Sequence, residues 1–597
     1  MPLGAAACGQ TIKLSVKAPD SAEALFLCIG DETIPMDRNE NRFEVSWTAP
    51  DEPSVLWYHF RLPGGTCFGP QGLRAPYAGG WQMTVYDAAF ETPSWYEGKT
   101  MYQIFPDRFN RGRKNPLRGI KQHRDAGREI EYHADWDEPV KWQGRDGRDY
   151  CPNDFYGGSL AGITEKLDYL KEMGVELIYL NPIFESDSNH RYNTGDYKKI
   201  DPILGNLNDF KALCSAMKER GMRLILDGVF SHTGDDSIYF NKYGRYEGRG
   251  AYQSTESAYA SWFDFESYPD KYRCWWNFKT LPEVNENDPA WQEAIVSGRY
   301  SVLKTWLRRG ADGWRLDVAD ELPDDVLELI RSHAKAENPE ALILGEVWED
   351  ATTKQSYGKT RTYALGRALD SVMNYPLRTA LTDFVLGKAN AAETLRFLAG
   401  QKLNYPAPMY RCLMNLMGSH DTVRLRSYLG SGGCDGSGMD RAAQAAFSLS
   451  PEEDELGRAR QRLCAALQFA LPGMPCVYYG DEEGMQGLRD PFCRAPYAQR
   501  EADTREYYSA LANLRKTSSA LSHGDVAFCA PDEDTVCILR FDGGETYLCC
   551  VNRSRKARSL YLSPEMFSGA HRESLRGLFE GFELDMDRCS AKFIKLK

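Results

Sequence analysis

Residues 1 to about 92 alternate polar and apolar positions in short runs (TIKLSVKA, ALFLCIG, RFEVSWTA, VLWYHFRL, MTVYDAAF) broken by Gly, Pro and Asp turns. A two-residue period sets one face of each run on a core and the other in water, which predicts a small β-sandwich. From about 93 to 505 the period changes, and VELIYLNP, DFKALCSAMKERG and MRLILDGVF read as strand, amphipathic helix, strand. That order implies parallel pairing through right-handed crossovers. Candidate strands lie at 100–106, 175–182, 222–229, 312–318, 341–347, 371–376, 412–418 and 475–480. Eight is the number that closes a (β/α)8 TIM barrel.

Between the third and fourth strands, residues 231–289 form a polar, aromatic-rich stretch far longer than an ordinary βα loop. It is expected to be an inserted subdomain walling one side of a cleft. After a helix near 503–517 the alternation returns (DVAFCA, TVCILRFD, ETYLCCVNR, AKFIKLK), giving a C-terminal β-sandwich over 506–597. The expected organisation is therefore a sandwich over 1–92, an α/β barrel over 93–505 and a second sandwich.

Composition narrows the function. A formal charge of -13 repels phosphate backbones and anionic lipid, so nucleic acid and membrane surfaces are not expected partners. The N-terminus lacks a basic start followed by an apolar run, and no stretch approaches about 18 consecutive apolar residues, so a cytoplasmic location is expected. The 16 cysteines are scattered, many inside apolar runs such as Cys412, Cys476, Cys549 and Cys550, and read as reduced buried thiols. No CxxC pair or His/Cys cluster suggests zinc. With Trp 13 and Tyr 33, rings are left over for a cleft that grips flat, weakly polar ligands.

Barrel enzymes carry their chemistry at the C-terminal ends of strands, and here the polar residues ending the apolar runs are nearly all acids. In ADGWRLDVADE, Arg315 and Asp317 are two apart and share a side of the fourth strand, so the guanidinium can orient Asp317 and keep it ionised, as a nucleophile requires. In ILGEVWED, Glu346 follows an apolar run, surroundings that favour the protonated acid needed to release a leaving oxygen. NLMGSHDTVRL adds His420 and Asp421, an ionised acid placed to steady an oxocarbenium ion. LILDGVFSHTG supplies Asp227 and His232 to hydrogen-bond one sugar ring. Each alone could be a helix cap or a structural group, but acids on four separate strand ends are a constellation.

Together DGVFSH, GWRLDVADE, GEVW and MGSHD resemble the four signature regions of the alpha-amylase superfamily of glycoside hydrolases, in order. MYQIFPDRF, YGGSLAGITEKLDYLKEMGVELIYLNPIFES, HRYNTGDYKKIDPILG and YYGDEEGMQGLRDPFCR look like its neopullulanase, cyclomaltodextrinase and maltogenic amylase branch, across nearly the whole chain. The resemblance implies Asp317 as nucleophile, Glu346 as acid/base and Asp421 as transition-state stabiliser, with Asp227, His232, Arg315 and His420 lining the central subsite. It also implies that Tyr192 stacks under the reacting sugar, and that Asp490 and Arg494 clamp the next sugar toward the non-reducing end. Trp348 and Glu321 would shape the aglycone subsites.

Two departures stand out. Ser231 occupies a position where many relatives carry the Asn of a calcium site, and RFNRGRKNP lacks the Asp and Asn that would wrap a cation, so no cofactor or required calcium is expected. LPEV at 281–284 lacks the Lys that usually follows the Pro in neopullulanases, leaving α-1,4 against α-1,6 preference open. The expected reaction is retaining hydrolysis of malto-oligosaccharides, cyclodextrins or pullulan through a glycosyl-Asp317 intermediate, with carboxyl groups about 5 to 5.5 Å apart. The alternatives are an α-glucan transglycosylase or a non-catalytic glucan-binding protein. Because the branch often dimerises through its N-terminal domain, a homodimer is the implied assembly.

Overall fold

The computed structural model describes residues 4–18, 21–144, 150–570 and 572–597. Its centre is a ring of eight parallel strands: β1 (Met101–Ile104), β2 (Leu177–Leu180), β3 (Arg223–Gly228), β4 (Gly313–Leu316), β5 (Leu342–Gly345), β6 (Ser371–Val372), β7 (Met414–Leu416) and β8 (Met474–Tyr478). They pair in the order β6-β5-β4-β3-β2-β1-β8-β7. A parallel bridge from Met373 to Met414 joins the two ends and closes the barrel.

Strand alternation sorts the side chains. Met101, Leu177, Tyr179, Ile225, Leu342, Leu344, Met414, Leu416, Met474 and Cys476 fill the barrel interior, while Tyr102, Ile178, Leu180, Leu224, Leu226, Trp314 and Ile343 turn outward onto the helices. The inward parity, continued toward the C-terminal ends, passes from these apolar residues to Gln103, Asn181, Asp227, Arg315, Asp317 and Glu346. The same two-residue period that builds the core therefore delivers a polar layer at its top.

The sixth strand is shorter than the expected 371–376. Asn374 accepts the Leu377 N–H and caps a helix over Tyr375–Leu386 with Pro376 in its first turn, so a helix start displaces the strand end. The seventh is trimmed at its start instead, where a preceding helix over Ala407–Cys412 takes the first expected strand position.

In the N-terminal region a three-stranded sheet containing Thr11–Lys17 and Arg42–Thr48 faces a larger sheet containing Ser54–Arg61 and Trp81–Tyr86. Between them lie Ile12, Leu14, Phe43, Val45, Trp47, Leu27, Tyr58 and Met83. At the other end of the chain, the four strands Asp525–Asp532, Thr535–Phe541, Thr546–Asn552 and Ser590–Lys595 form a sheet that is covered on both faces. Cys537, Leu539 and Leu548 meet Leu560 and Leu584 of a two-stranded sheet, while Val526, Val536, Ile538 and Val551 pack on barrel-helix residues such as Leu381, Leu463 and Leu467. All 16 cysteines are free thiols, most of them buried. Among the described residues no helix is long and apolar enough to cross a membrane.

The insertion after β3 holds itself together through rings. Tyr239 stacks on Trp262 at 5.1 Å, and Phe240 meets Tyr272 edge-on at 4.7 Å. Bridges from His232 to Glu283 and from Cys274 to Pro282 tie its far end back beside β3.

Candidate active site

Arg315, fully buried on β4, organises the polar layer. Its Nη1 donates to Asp317 Oδ1 at 2.7 Å and to Asp227 Oδ1 at 2.9 Å, and its Nη2 lies 2.8 Å from Glu346 Oε2. One guanidinium thus holds acids from three neighbouring strands. Burial pushes the Asp317 carboxyl above the usual carboxylate range against the pull of Arg315, and the charges of Glu346 and Asp227 add to the rise. The guanidinium expected to orient Asp317 and keep it ionised is thus divided among three acids, and burial outweighs its pull on Asp317.

Glu346 is 7% exposed, but its surroundings are not simply apolar. Oε2 accepts the backbone N–H of Val318 at 2.8 Å, and Oε1 accepts the indole N–H of Trp348 at 3.1 Å. The Trp348 ring lies flat on Tyr375, centroids 3.8 Å apart. Gly345 immediately before it sits tightly against a neighbour: a Cβ there would stand 2.5 Å from Leu369 Cδ1, so Leu369 would have to shift to admit a side chain.

The second half of the site is built around His420. Its Nδ1 accepts from the Gln103 amide at 2.9 Å and the Asn181 amide at 3.2 Å, which leaves Nε2 as the nitrogen that carries a proton. Nε2 is 2.7 Å from the Tyr192 hydroxyl and 3.0 Å from Asp421 Oδ2. The Tyr192 ring is parallel to His420 at 5.3 Å, and its hydroxyl donates to Asp227 Oδ2 at 2.9 Å. Burial alone would raise Asp421, but His420 and Arg494 outweigh it and hold the carboxyl well below its ordinary range. Arg494 reaches Asp421 Oδ1 at 3.3 Å and Asp490 Oδ1 at 3.0 Å, joining the rim to the floor. His232 donates from Nε2 to the Tyr192 carbonyl at 3.1 Å, and burial lowers its ring to about 4, so it is neutral. The Ser231 hydroxyl sits 3.1 Å from the other nitrogen of that ring.

Asp227, Arg315, Asp317, Glu346, Trp348, Tyr192, His420, Asp421, His232, Asp490 and Arg494 are thus linked by contacts into one network. Glu321 stands apart from it, bonded to the Tyr357 hydroxyl. Gln103, Asn181 and Tyr179 belong to the network and were not anticipated; Tyr179 donates to Asp227 Oδ2 at 2.6 Å. Their signal was the inward parity of β1 and β2, which places a polar residue wherever an even count from a core residue reaches the strand end. Among the described residues no group of three or more His, Cys, Asp or Glu is arranged to hold a metal ion.

Residues 103–518 match the model for the alpha amylase catalytic domain. The chain is 35% identical over 591 residues to an amylopullulanase of Thermoanaerobacter thermohydrosulfuricus, covering 88% of this chain and 38% of that protein. It is 34% identical over 487 residues to a cyclomaltodextrinase of Geobacillus thermopakistaniensis, covering 79% of this chain and 71% of that one. In structure it is similar to the type III pullulan hydrolase from Thermococcus kodakarensis, with TM-score 0.71, 25% identity, and 99% and 98% of the two chains covered. The chain spans between 33% and 48% of the length of the amylopullulanases it matches.

Proposed function

The chain belongs to the alpha-amylase family of glycoside hydrolases, and from that premise we propose that it is a retaining hydrolase of short or cyclic α-glucans with Asp317 as nucleophile. The observation that carries this reading is the sharing of one guanidinium: Asp317 at 2.7 Å from Nη1 and Glu346 at 2.8 Å from Nη2. Two acids held by the two terminal nitrogens of one guanidinium are close neighbours, which supports a retaining pair, whose carboxyl groups stand about 5 to 5.5 Å apart.

In the proposed reaction Glu346 enters as the general acid. It gives its proton to the glycosidic oxygen while Asp317 Oδ2, the oxygen not bonded to Arg315, attacks the anomeric carbon from the opposite face. The ionised Asp421 accepts hydrogen bonds from sugar hydroxyls and stabilises the positive charge that develops at the ring. Water, deprotonated by Glu346, then cleaves the glycosyl ester. Tyr192 presents a ring to the apolar face of the sugar. The names of the relatives, which act on pullulan and cyclic maltodextrins, support malto-oligosaccharides, cyclodextrins and pullulan as the substrates to try.

The test is the anomeric form of the first product from maltotriose, followed by proton NMR before mutarotation. Release of the α-anomer is expected. Release of the β-anomer would mean inversion and would remove Asp317 from the nucleophile's role.

A further inference from the structure

The C-terminal sheet carries three thiols in one row. On its neighbouring strands Asp525–Asp532, Thr535–Phe541 and Thr546–Asn552, Cys529 stands opposite Cys537, and Cys537 opposite Cys550. All three are buried on the face that meets Leu560 and Leu584, far in the fold from the polar layer of the barrel. Residues directly opposite on antiparallel strands have Cα atoms about 4.5 to 5.5 Å apart, inside the range of roughly 4.4 to 6.8 Å that a disulfide spans. Backbone pairing has thus placed both neighbours of Cys537 within bridging range.

The sulfur positions distinguish the two neighbours. Cys537 Sγ lies 2.8 Å from Cys550 Sγ. Even carbon atoms in ordinary contact stay about 3.5 to 4.0 Å apart, and sulfur is the larger atom, so two thiols that only filled core space would stand farther apart. A bond of about 2.05 Å requires less than about 1 Å of further closure. Burial holds the Cys537 thiol well above its ordinary value, and Cys550 beside it adds to the rise. Cys537 is therefore a poor nucleophile while the sheet is closed, and a bond made there is shielded from reductants by the same burial.

We propose that Cys537 and Cys550 are an oxidation site, which forms a reversible disulfide when the sheet opens to a small-molecule disulfide such as oxidised glutathione. One cysteine, as its thiolate, attacks the small disulfide and expels half of it as a thiol. The second attacks the protein sulfur of the mixed disulfide and expels the other half. The two cysteines lose two electrons and two protons as one S–S bond forms, and the oxidant is reduced to two thiols. The bridge joins residues 13 apart in sequence on consecutive strands. The opposite face of those strands, with Val536, Ile538 and Val551, packs on barrel-helix residues, so the bond staples the hairpin that seats the C-terminal sheet on the barrel.

To test it, the full chain is held with oxidised glutathione in urea below its unfolding midpoint until a parallel sample shows Cys537 alkylated by iodoacetamide, which establishes access. The oxidised sample is then alkylated, digested without reductant and mapped by mass spectrometry. A peptide pair joined through Cys537 and Cys550, and separated again by dithiothreitol, is expected. Amide exchange across residues 535–552 should slow on the order of a hundredfold, because the bridge restricts the opened chain. Cys550→Val should lose both effects, and Cys529→Val should keep them. A Cys537 that is alkylated but never linked to Cys550 would overturn the proposal, as would a bridge to Cys529 instead or a bridge that leaves exchange unchanged.

Discussion

The backbone N–H of Val318 lies 2.8 Å from Oε2 of Glu346, and a left-handed backbone with φ 40° and ψ 62° aims it there. A β-branched residue avoids this region because its Cβ crowds the carbonyl, at a cost of about 1 to 3 kcal/mol. The residue before it is Asp317, and the main chain of Glu346 is fixed in return, its carbonyl accepting from Ala319 and its N–H donating to Leu316. A strained peptide therefore couples the ends of β4 and β5, setting the position of one acid by the conformation next to the other.

Because of that strain, Val318→Gly should be nearly free. Glycine takes the left-handed region without penalty, offsetting the lost contacts of a partly buried side chain, so unfolding by urea should shift by less than about 1 kcal/mol. A loss of 2 kcal/mol or more, the size of an ordinary core truncation, would show that the valine is not strained.

The two acids should separate by leaving group. Glu346→Gln removes the proton donor, which a sugar alcohol needs and p-nitrophenolate does not. The first glycosyl transfer from p-nitrophenyl α-maltoside should therefore be impaired far less than turnover of maltotriose, for which a loss of about 10²- to 10⁴-fold is expected. Asp317→Asn should abolish both alike while leaving oligosaccharide binding intact. Equal losses for Glu346→Gln on both substrates, measured by burst-phase kinetics, would contradict its role as acid.

The apolar runs located the barrel strands well because buried parallel strands are written as continuous hydrophobic segments. The strand-end rule then found the acids, since Asp227, Asp317 and Glu346 each end such a run. Gln103 was hidden for the opposite reason: it lies within an apolar run, where one polar residue looks like noise until its inward parity is known. The division of Arg315 among three strands, and the left-handed turn at Val318, are tertiary facts with no local signal, since nothing in WRLDVADE distinguishes a valine held at positive φ. At Asn374 and Pro376 the signal was present but conflicting, and helix capping prevailed over strand propensity.

Stability should also respond to pH through a group outside the network. Burial pushes the Glu286 carboxyl up to about 8 from its ordinary 4.5. The folded chain then holds this proton more tightly than the unfolded one, so its stabilisation is complete below about pH 4.5 and is lost as pH rises toward 8, at up to about 1.4 kcal/mol per pH unit. His232 acts at the other end: with its ring lowered to about 4 from 6.5, stability falls as pH drops through that interval. Glu286→Gln, always neutral, should match the parent near pH 5 and exceed it near pH 8 in urea midpoint. Parallel curves for the two proteins would show that Glu286 is not held protonated.

Gly345 tests how tightly the position of Glu346 is set. A methyl group added there would stand 2.5 Å from Leu369 Cδ1 and 3.3 Å from Ala319 Cβ. Interiors this dense do not absorb such an overlap without moving a neighbour, so Gly345→Ala should destabilise by about 1 to 3 kcal/mol. The next residue carries the candidate acid, and a displacement approaching 1 Å lowers a reaction rate by up to about 10²-fold. Leu369→Val withdraws the offending carbon, and by itself should cost stability through a small cavity while sparing activity. Combined with Gly345→Ala it should restore part of both stability and kcat/KM, giving a favourable coupling of about 1 kcal/mol or more between residues in contact. Additive losses in the double variant would place the obstruction at Ala319 instead, and with it the feature that fixes Glu346.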